Sequence, residues 1–257
     1  MMGDLDSHRA LRDQRQYRRG LYLLPTIFTV GNMFCGYACL IFSMRGEPAA
    51  AAPFIGVAVV LDMLDGRIAR LTKTSSAFGL ELDSLADVIS FGLAPAMLAF
   101  AWGLSELGHF WWAAGFVYVT AAAMRLARFN LQTTAQPDKR YFVGMPTPAA
   151  AGVTAATVFA WPDPLGGHFQ AIAAVAVVLV PAALMVSTLR FRSFKTINFG
   201  WTQSYIQIII VAGVFVAIAT EPRIALVVLA YGYLLSAFIE EGLTRYRLHR
   251  GGPPSAG

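Results

Sequence analysis

The chain has 257 residues and a net charge of +5, with 56% hydrophobic and only 14% charged residues. Soluble domains carry about 25% charged residues, so an ordinary soluble fold is excluded. The length leaves room for one membrane domain and no sizeable soluble one. The chain opens with a basic segment, residues 1–20, holding Arg9, Arg12, Arg15, Arg18 and Arg19. It reads either as an interfacial helix held by anionic lipid or as a cytosolic tail. The apolar run after Gly20 is too long for a cleavable signal peptide and has no small-residue cleavage site.

Eight apolar segments follow: Leu21–Met44, Ala49–Leu71, Leu80–Trp102, Phe110–Phe129, Pro146–Trp161, Phe169–Leu189, Thr202–Thr220 and Arg223–Glu241. Each is long enough, or nearly so, to cross a bilayer as a helix. All but Arg45 and Arg223 of the 20 Lys and Arg fall in the tails, in alternate connections or at the segment ends that border those connections. By the positive-inside rule that side is cytoplasmic, which puts both termini there. The expected fold is an all-α polytopic membrane protein of about eight transmembrane helices. Its membrane domain covers residues 21–241, and a disordered tail covers 242–257, with the run Gly251-Gly252-Pro253-Pro254-Ser255 at its end. Cys35 and Cys39, four residues apart on the first segment, read as apolar packing. The four histidines form no metal-spaced cluster, and the five tryptophans sit near the expected interfaces as belts. No GxGxxG or P-loop pattern points to ATP or NAD, and no nucleic-acid partner is indicated.

At the junction of the second and third segments stands Asp62-x2-Asp65-Gly66-x2-Ala69-Arg70-x8-Gly79-x3-Asp83-x3-Asp87. A carboxylate at a helix centre in a bilayer costs roughly 2.5–3.5 kcal/mol on insertion scales, so four of them need a compensating partner. Asp62, Asp65, Gly66 and Ala69 share one helical stripe, as do Gly79, Asp83 and Asp87. Lys73-Thr74-Ser75-Ser76 between them reads as a turn and helix start. Two antiparallel helices then present two carboxylates each to a common seam. Oxygen ligands of this kind suit one or two hard cations such as Mg²⁺ or Mn²⁺. Gly66, Ala69 and Gly79 let the backbones approach and leave room for a ligand. Arg70, one turn beyond Gly66, is placed to clamp a phosphate. Intramembrane acids also serve as relays in transporters, which keeps a cation-coupled carrier as an alternative.

This pattern resembles the signature of the CDP-alcohol phosphatidyltransferases at every defining position. Three flanking stretches are similar to the bacterial-type phosphatidylserine synthases within that family: Leu24 to Gly36, Glu81 to Pro95, and Arg125 to Asn130 together with Phe142 to Pro148. The resemblance covers roughly Leu21 to Ala151 and implies a six-helix core, here with two further helices. It implies two divalent ions held by Asp62, Asp65, Asp83 and Asp87, with Asp87 also the general base. CDP-diacylglycerol would bind at Asp62, Gly66, Arg70 and Gly79, with Thr29 and Asn32 bordering the cytidine. L-serine would be received by Arg125, Arg128 and Asn130, although arginines at the inner end of a span are also expected from charge bias alone. The products would be phosphatidylserine and CMP, made at the cytoplasmic face of the inner membrane by a homodimer. The same chemistry on another acceptor, such as glycerol phosphate or an inositol phosphate, stays open.

Overall fold

The computed structural model describes residues 25–72, 76–103, 110–133, 141–163, 168–192 and 204–250. The basic segment 1–20, Lys73 to Ser75 and the final Gly251–Gly257 lie outside the described residues. Helix α1 spans Pro25–Met44 and α2 Pro48–Thr72. Helix α3 (Ala77–Asp87) runs into a π-helical turn (Val88–Leu93) and then α4 (Ala94–Trp102), one continuous rod. There follow α5 (Phe110–Thr133), α6 (Thr147–Ala160), α7 (His168–Val186), α8 (Ser204–Thr220) and α9 (Pro222–Arg250). The described residues are therefore almost wholly helical, and the described part of each expected apolar segment falls mainly on a helix or, for the third, on the α3–α4 rod. Three units, Pro25–Met44, Pro48–Thr72 and Ala77–Trp102, are long and apolar enough to cross a membrane; four shorter apolar helices accompany them.

Helix α6 is the centre of the packing. It contacts α2, α4, α7 and α9, and Ala150, Ala151, Val153, Thr154, Ala155, Ala156, Thr157 and Val158 are all buried. Small side chains on every face let neighbouring backbones come close, which is how helices associate where lipid removes the hydrophobic drive. Helix α1 shows the complementary pattern. Thr29, Asn32, Cys35, Gly36, Cys39 and Ser43 face inward, while Ile27, Val30, Phe34 and Tyr37 lie exposed on the opposite stripe. The cysteines are free thiols packed as apolar residues.

Two features depart from the expected fold. Tyr141–Val143 (β1) and Arg190–Arg192 (β2) form a short antiparallel pair, with Phe142 opposite Phe191. The ladder is continued by Gly144 N–H donating to the Leu189 carbonyl, and Met145 N–H caps the Leu184 carbonyl near the end of α7, each at 2.9 Å. Gly144 has φ +83°, and a Cβ there would sit 2.3 Å from the Met185 carbonyl oxygen, so no other residue fits this turn. Second, α9 continues to Arg250, beyond the last expected apolar segment, Arg223–Glu241.

Candidate metal centre and substrate site

Ser76 starts α3 by accepting a hydrogen bond from Gly79 N–H at 3.0 Å, a side-chain N-cap. This fixes the rotation of α3 and so the direction of Asp83 and Asp87. One carboxylate oxygen from each of Asp62, Asp83 and Asp87 lies within 4.8 Å of the others. Asp65 is buried on α2, one turn beyond Asp62. It differs from the other three in that its Oδ2 lies 3.1 Å from the Thr29 hydroxyl. The four expected ligands are thus in one place, with three of them converging on a point.

The donor set fits a hard divalent cation. Like charges this close repel, and the Asp83 Oδ1 atom is buried without a hydrogen-bond partner. An unsatisfied buried acceptor costs about 1–3 kcal/mol, more when charged. A cation among these oxygens would remove both penalties at once.

Helix α1 braces the cluster from the side. Thr29 and Asn32, one turn apart, each reach a different aspartate: Thr29 reaches Asp65, and Asn32 Nδ2 donates to Asp87 Oδ1 at 3.2 Å. Ser90, in the π-helical turn, donates back to the Asn32 carbonyl at 2.9 Å. This contact depends on Gly36, where an added Cβ would lie 2.5 Å from Ser90 Oγ and 2.8 Å from its Cα. Thr29 and Asn32, expected from the resemblance to border a nucleotide, are therefore hydrogen-bond partners of the aspartates as well. Gly36 and Ser90 were not anticipated. Gly36 lies on the Thr29–Asn32 stripe, one turn beyond Asn32, so its position was readable. Ser90 was not, because a π turn shifts the helical register.

On the open side, a Cβ at Gly66 would meet nothing within 4 Å, and the exposed Arg70 folds back so that its Nε donates to the Gly66 carbonyl at 2.8 Å. A Cβ at Gly79 would approach the capping Ser76 hydroxyl to 3.1 Å, so this glycine also serves the helix start. On the α5 side, Arg125 Nη1 donates to Thr147 Oγ1 at 2.8 Å, and its guanidinium lies 5.8 Å from the Phe129 ring centroid. Its Nε is buried without a partner, and the charges of Asp87 and Asp62 act on it. Asn130 Nδ2 donates to Ser84 Oγ at 2.9 Å, tying the end of α5 to α3 between Asp83 and Asp87. Arg128 is partly buried on the same helix end, and nothing ties it to the aspartates among the described residues. Thr147 and Ser84 lie inside the flanking stretches, but their roles did not follow from those stretches, since each is defined only by a tertiary partner.

Residues 22–189 match the family model described as CDP-alcohol phosphatidyltransferase. The chain is 35% identical over 221 residues to the CDP-diacylglycerol–serine O-phosphatidyltransferase of Helicobacter pylori, covering 85% of this chain and 91% of that protein. It is 42% identical over 135 residues to the protein of the same name from Mycobacterium leprae, covering 51% and 45%. With that of Bacillus subtilis it shares 32% over 172 residues, covering 67% and 91%.

Proposed function

The chain belongs to the CDP-alcohol phosphatidyltransferases, and we propose that it moves the phosphatidyl group of CDP-diacylglycerol onto the hydroxyl of L-serine, releasing CMP. One juxtaposition carries this reading: a carboxylate cluster fit for cations within electrostatic reach of a partly buried arginine whose buried Nε has no partner. The first suits a diphosphate bridged to metal, the second an acceptor that brings its own carboxylate. The names of the relatives support serine as that acceptor.

Asp62, Asp65, Asp83 and Asp87 would hold two divalent ions, Mg²⁺ or Mn²⁺. Bound there, such ions neutralise the diphosphate and stabilise the departing CMP. The serine hydroxyl attacks the β-phosphorus, the bond to the CMP phosphate breaks, and Asp87 takes the hydroxyl proton. Asn32 engages one oxygen of Asp87, which orients the carboxylate for that task. Thr29 does the same for Asp65, and both residues border the cytidine. The open space at Gly66 admits the nucleotide, Gly79 keeps the start of α3 close by, and Arg70 can swing from the Gly66 carbonyl to a phosphate. Arg125 takes the serine carboxylate, with Arg128 and Asn130 completing the acceptor side. The acyl chains stay in lipid.

The eight helical units cross the cytoplasmic membrane with both termini inside, and the site opens to the cytoplasm. Pairing of β1 with β2 supports this, since the two connections are separated by two helices and should share a face. The assembly is a homodimer; a monomer mass by light scattering in detergent would remove that element.

The purified chain in detergent with CDP-diacylglycerol and Mg²⁺ should release CMP on addition of L-serine, and not on addition of glycerol 3-phosphate or an inositol phosphate. Release with one of those alcohols instead would change the acceptor. No release with any alcohol, together with saturable uptake into liposomes, would replace the enzyme by a carrier.

A further inference from the structure

Helix α5 runs along the α3–α4 rod, and two contacts set its register. Asn130 Nδ2 donates to Ser84 Oγ at 2.9 Å. At the other contact, a Cβ on Gly92 would stand 3.4 Å from the Ala122 Cβ. The two contacts are equally far apart on the two segments, which run in opposite directions. Asp87 lies between Ser84 and Gly92, and Arg125 between Ala122 and Asn130. The two therefore stand within about one helical turn of each other along the rod. At that level Arg125 reaches α6, where its Nη1 donates to Thr147 Oγ1 at 2.8 Å.

The hydroxyl that receives Arg125 sits on a rigid mount. Thr147 is fully buried, and Pro146 and Pro148 on either side restrict its backbone. The residues before it are tied down by Gly144 N–H to the Leu189 carbonyl and Met145 N–H to the Leu184 carbonyl. An arginine side chain, by contrast, loses several rotatable bonds' worth of freedom when a ligand orders it, and that loss weakens binding. A fixed acceptor on Nη1 orders it beforehand. The Phe129 ring, 5.8 Å from the guanidinium carbon, flanks the same group. Nε is then buried without a partner. With the adjacent Nη2 it forms the edge of a guanidinium that takes a carboxylate through two parallel hydrogen bonds. We propose that Thr147 is a positioning residue for Arg125, holding Nη1 so that the Nε edge is presented to the carboxylate of the acceptor. This deepens the serine reading and rests on it.

The test uses the full chain in detergent with Mg²⁺, with CMP release followed against L-serine at saturating CDP-diacylglycerol and the reverse. Thr147→Val keeps the shape and removes the acceptor; Thr147→Ala serves if the valine variant does not fold. The KM for serine should rise roughly tenfold, the scale of one hydrogen bond to a charged group, while KM for the lipid donor stays at its wild-type value. Thr147→Ser restores the hydroxyl and should bring the serine KM back close to wild type. In an Arg125→Ala background, Thr147→Val should add nothing to the serine KM, because the hydroxyl acts only through the guanidinium. Tyr231→Phe is the structural control: it breaks the 2.9 Å hydroxyl contact to Thr157 elsewhere on α6 and should leave the serine KM alone. An unchanged serine KM without the hydroxyl, an equal rise for donor and acceptor, no recovery in Thr147→Ser, or a further rise in the Arg125→Ala background overturns the inference while the serine reading stands. A wild-type chain that releases no CMP with serine overturns both.

Discussion

Among single residues, Asp83 gives the cleanest separation of chemistry from structure. Its Oδ1 is buried without a hydrogen-bond partner, and a second oxygen-rich group at the same place only adds repulsion to Asp62, Asp87 and Asp65. Asp83→Asn keeps the shape and deletes the charge. Stability in detergent should hold or rise, because a like-charge contact is relieved. Turnover should fall by roughly a hundredfold or more, since a metal worth several kcal/mol of transition-state stabilisation loses a ligand. Parallel CMP-release and thermal-unfolding measurements decide it; near-normal turnover would mean that the converging carboxylates serve packing and not chemistry. The aspartates were legible in the sequence because i, i+3 and i+4 spacing fixes which side chains share a helix face. The partners of Thr29 and Asn32 were not, because a hydrogen bond across 36 or 55 residues depends on how two helices are rotated against each other.

At the level of elements, the seam between α1 and the π-helical turn sets the position of Asp87. The seam is tight because Gly36 has no side chain, and it is pinned by Ser90 to Asn32 and by Asn32 to Asp87. Gly36→Ala should push α1 outward against backbone at Ser90, which cannot move as a flexible side chain can. Overpacking of this kind costs about 1–3 kcal/mol, so Tm should drop and turnover should fall with it as Asp87 loses its brace. Gly56→Ala on α2, where a Cβ meets nothing within 4 Å, should be neutral or slightly stabilising by helix propensity. Equal behaviour of the two variants would dissolve the proposed link between seam and site. The extents of these helices were readable from apolar runs and the Ser76 cap. The π turn was not: VISFGL reads as ordinary apolar helix, and only the close approach of α1 reveals the widened register.

For the whole molecule, the β1–β2 pair is the strongest constraint on how the chain threads the membrane. Two connections that hydrogen-bond to each other lie on one face, and α6 and α7 between them must make an even number of crossings. Asn130 joins the end of α5 to α3 beside Asp83 and Asp87, so the carboxylates lie at that same end. Charge bias independently puts the α5–α6 and α7–α8 connections on the cytoplasmic side, with Arg45 and Arg223 opposite. Composition suggests the topology proposed above; the strand pair was hidden, because three residues of Tyr-Phe-Val gain strand character only when a second strand meets them. In a background with Cys35 and Cys39 replaced by alanine, a membrane-impermeant maleimide applied to intact cells should label Glu221→Cys, in the exposed α8–α9 turn. It should spare Val143→Cys on β1 until the membrane is permeabilised. Labelling of Val143→Cys from outside would turn the site toward the wrong compartment for a soluble acceptor and for CMP release, and the inward-facing reading would fall with it.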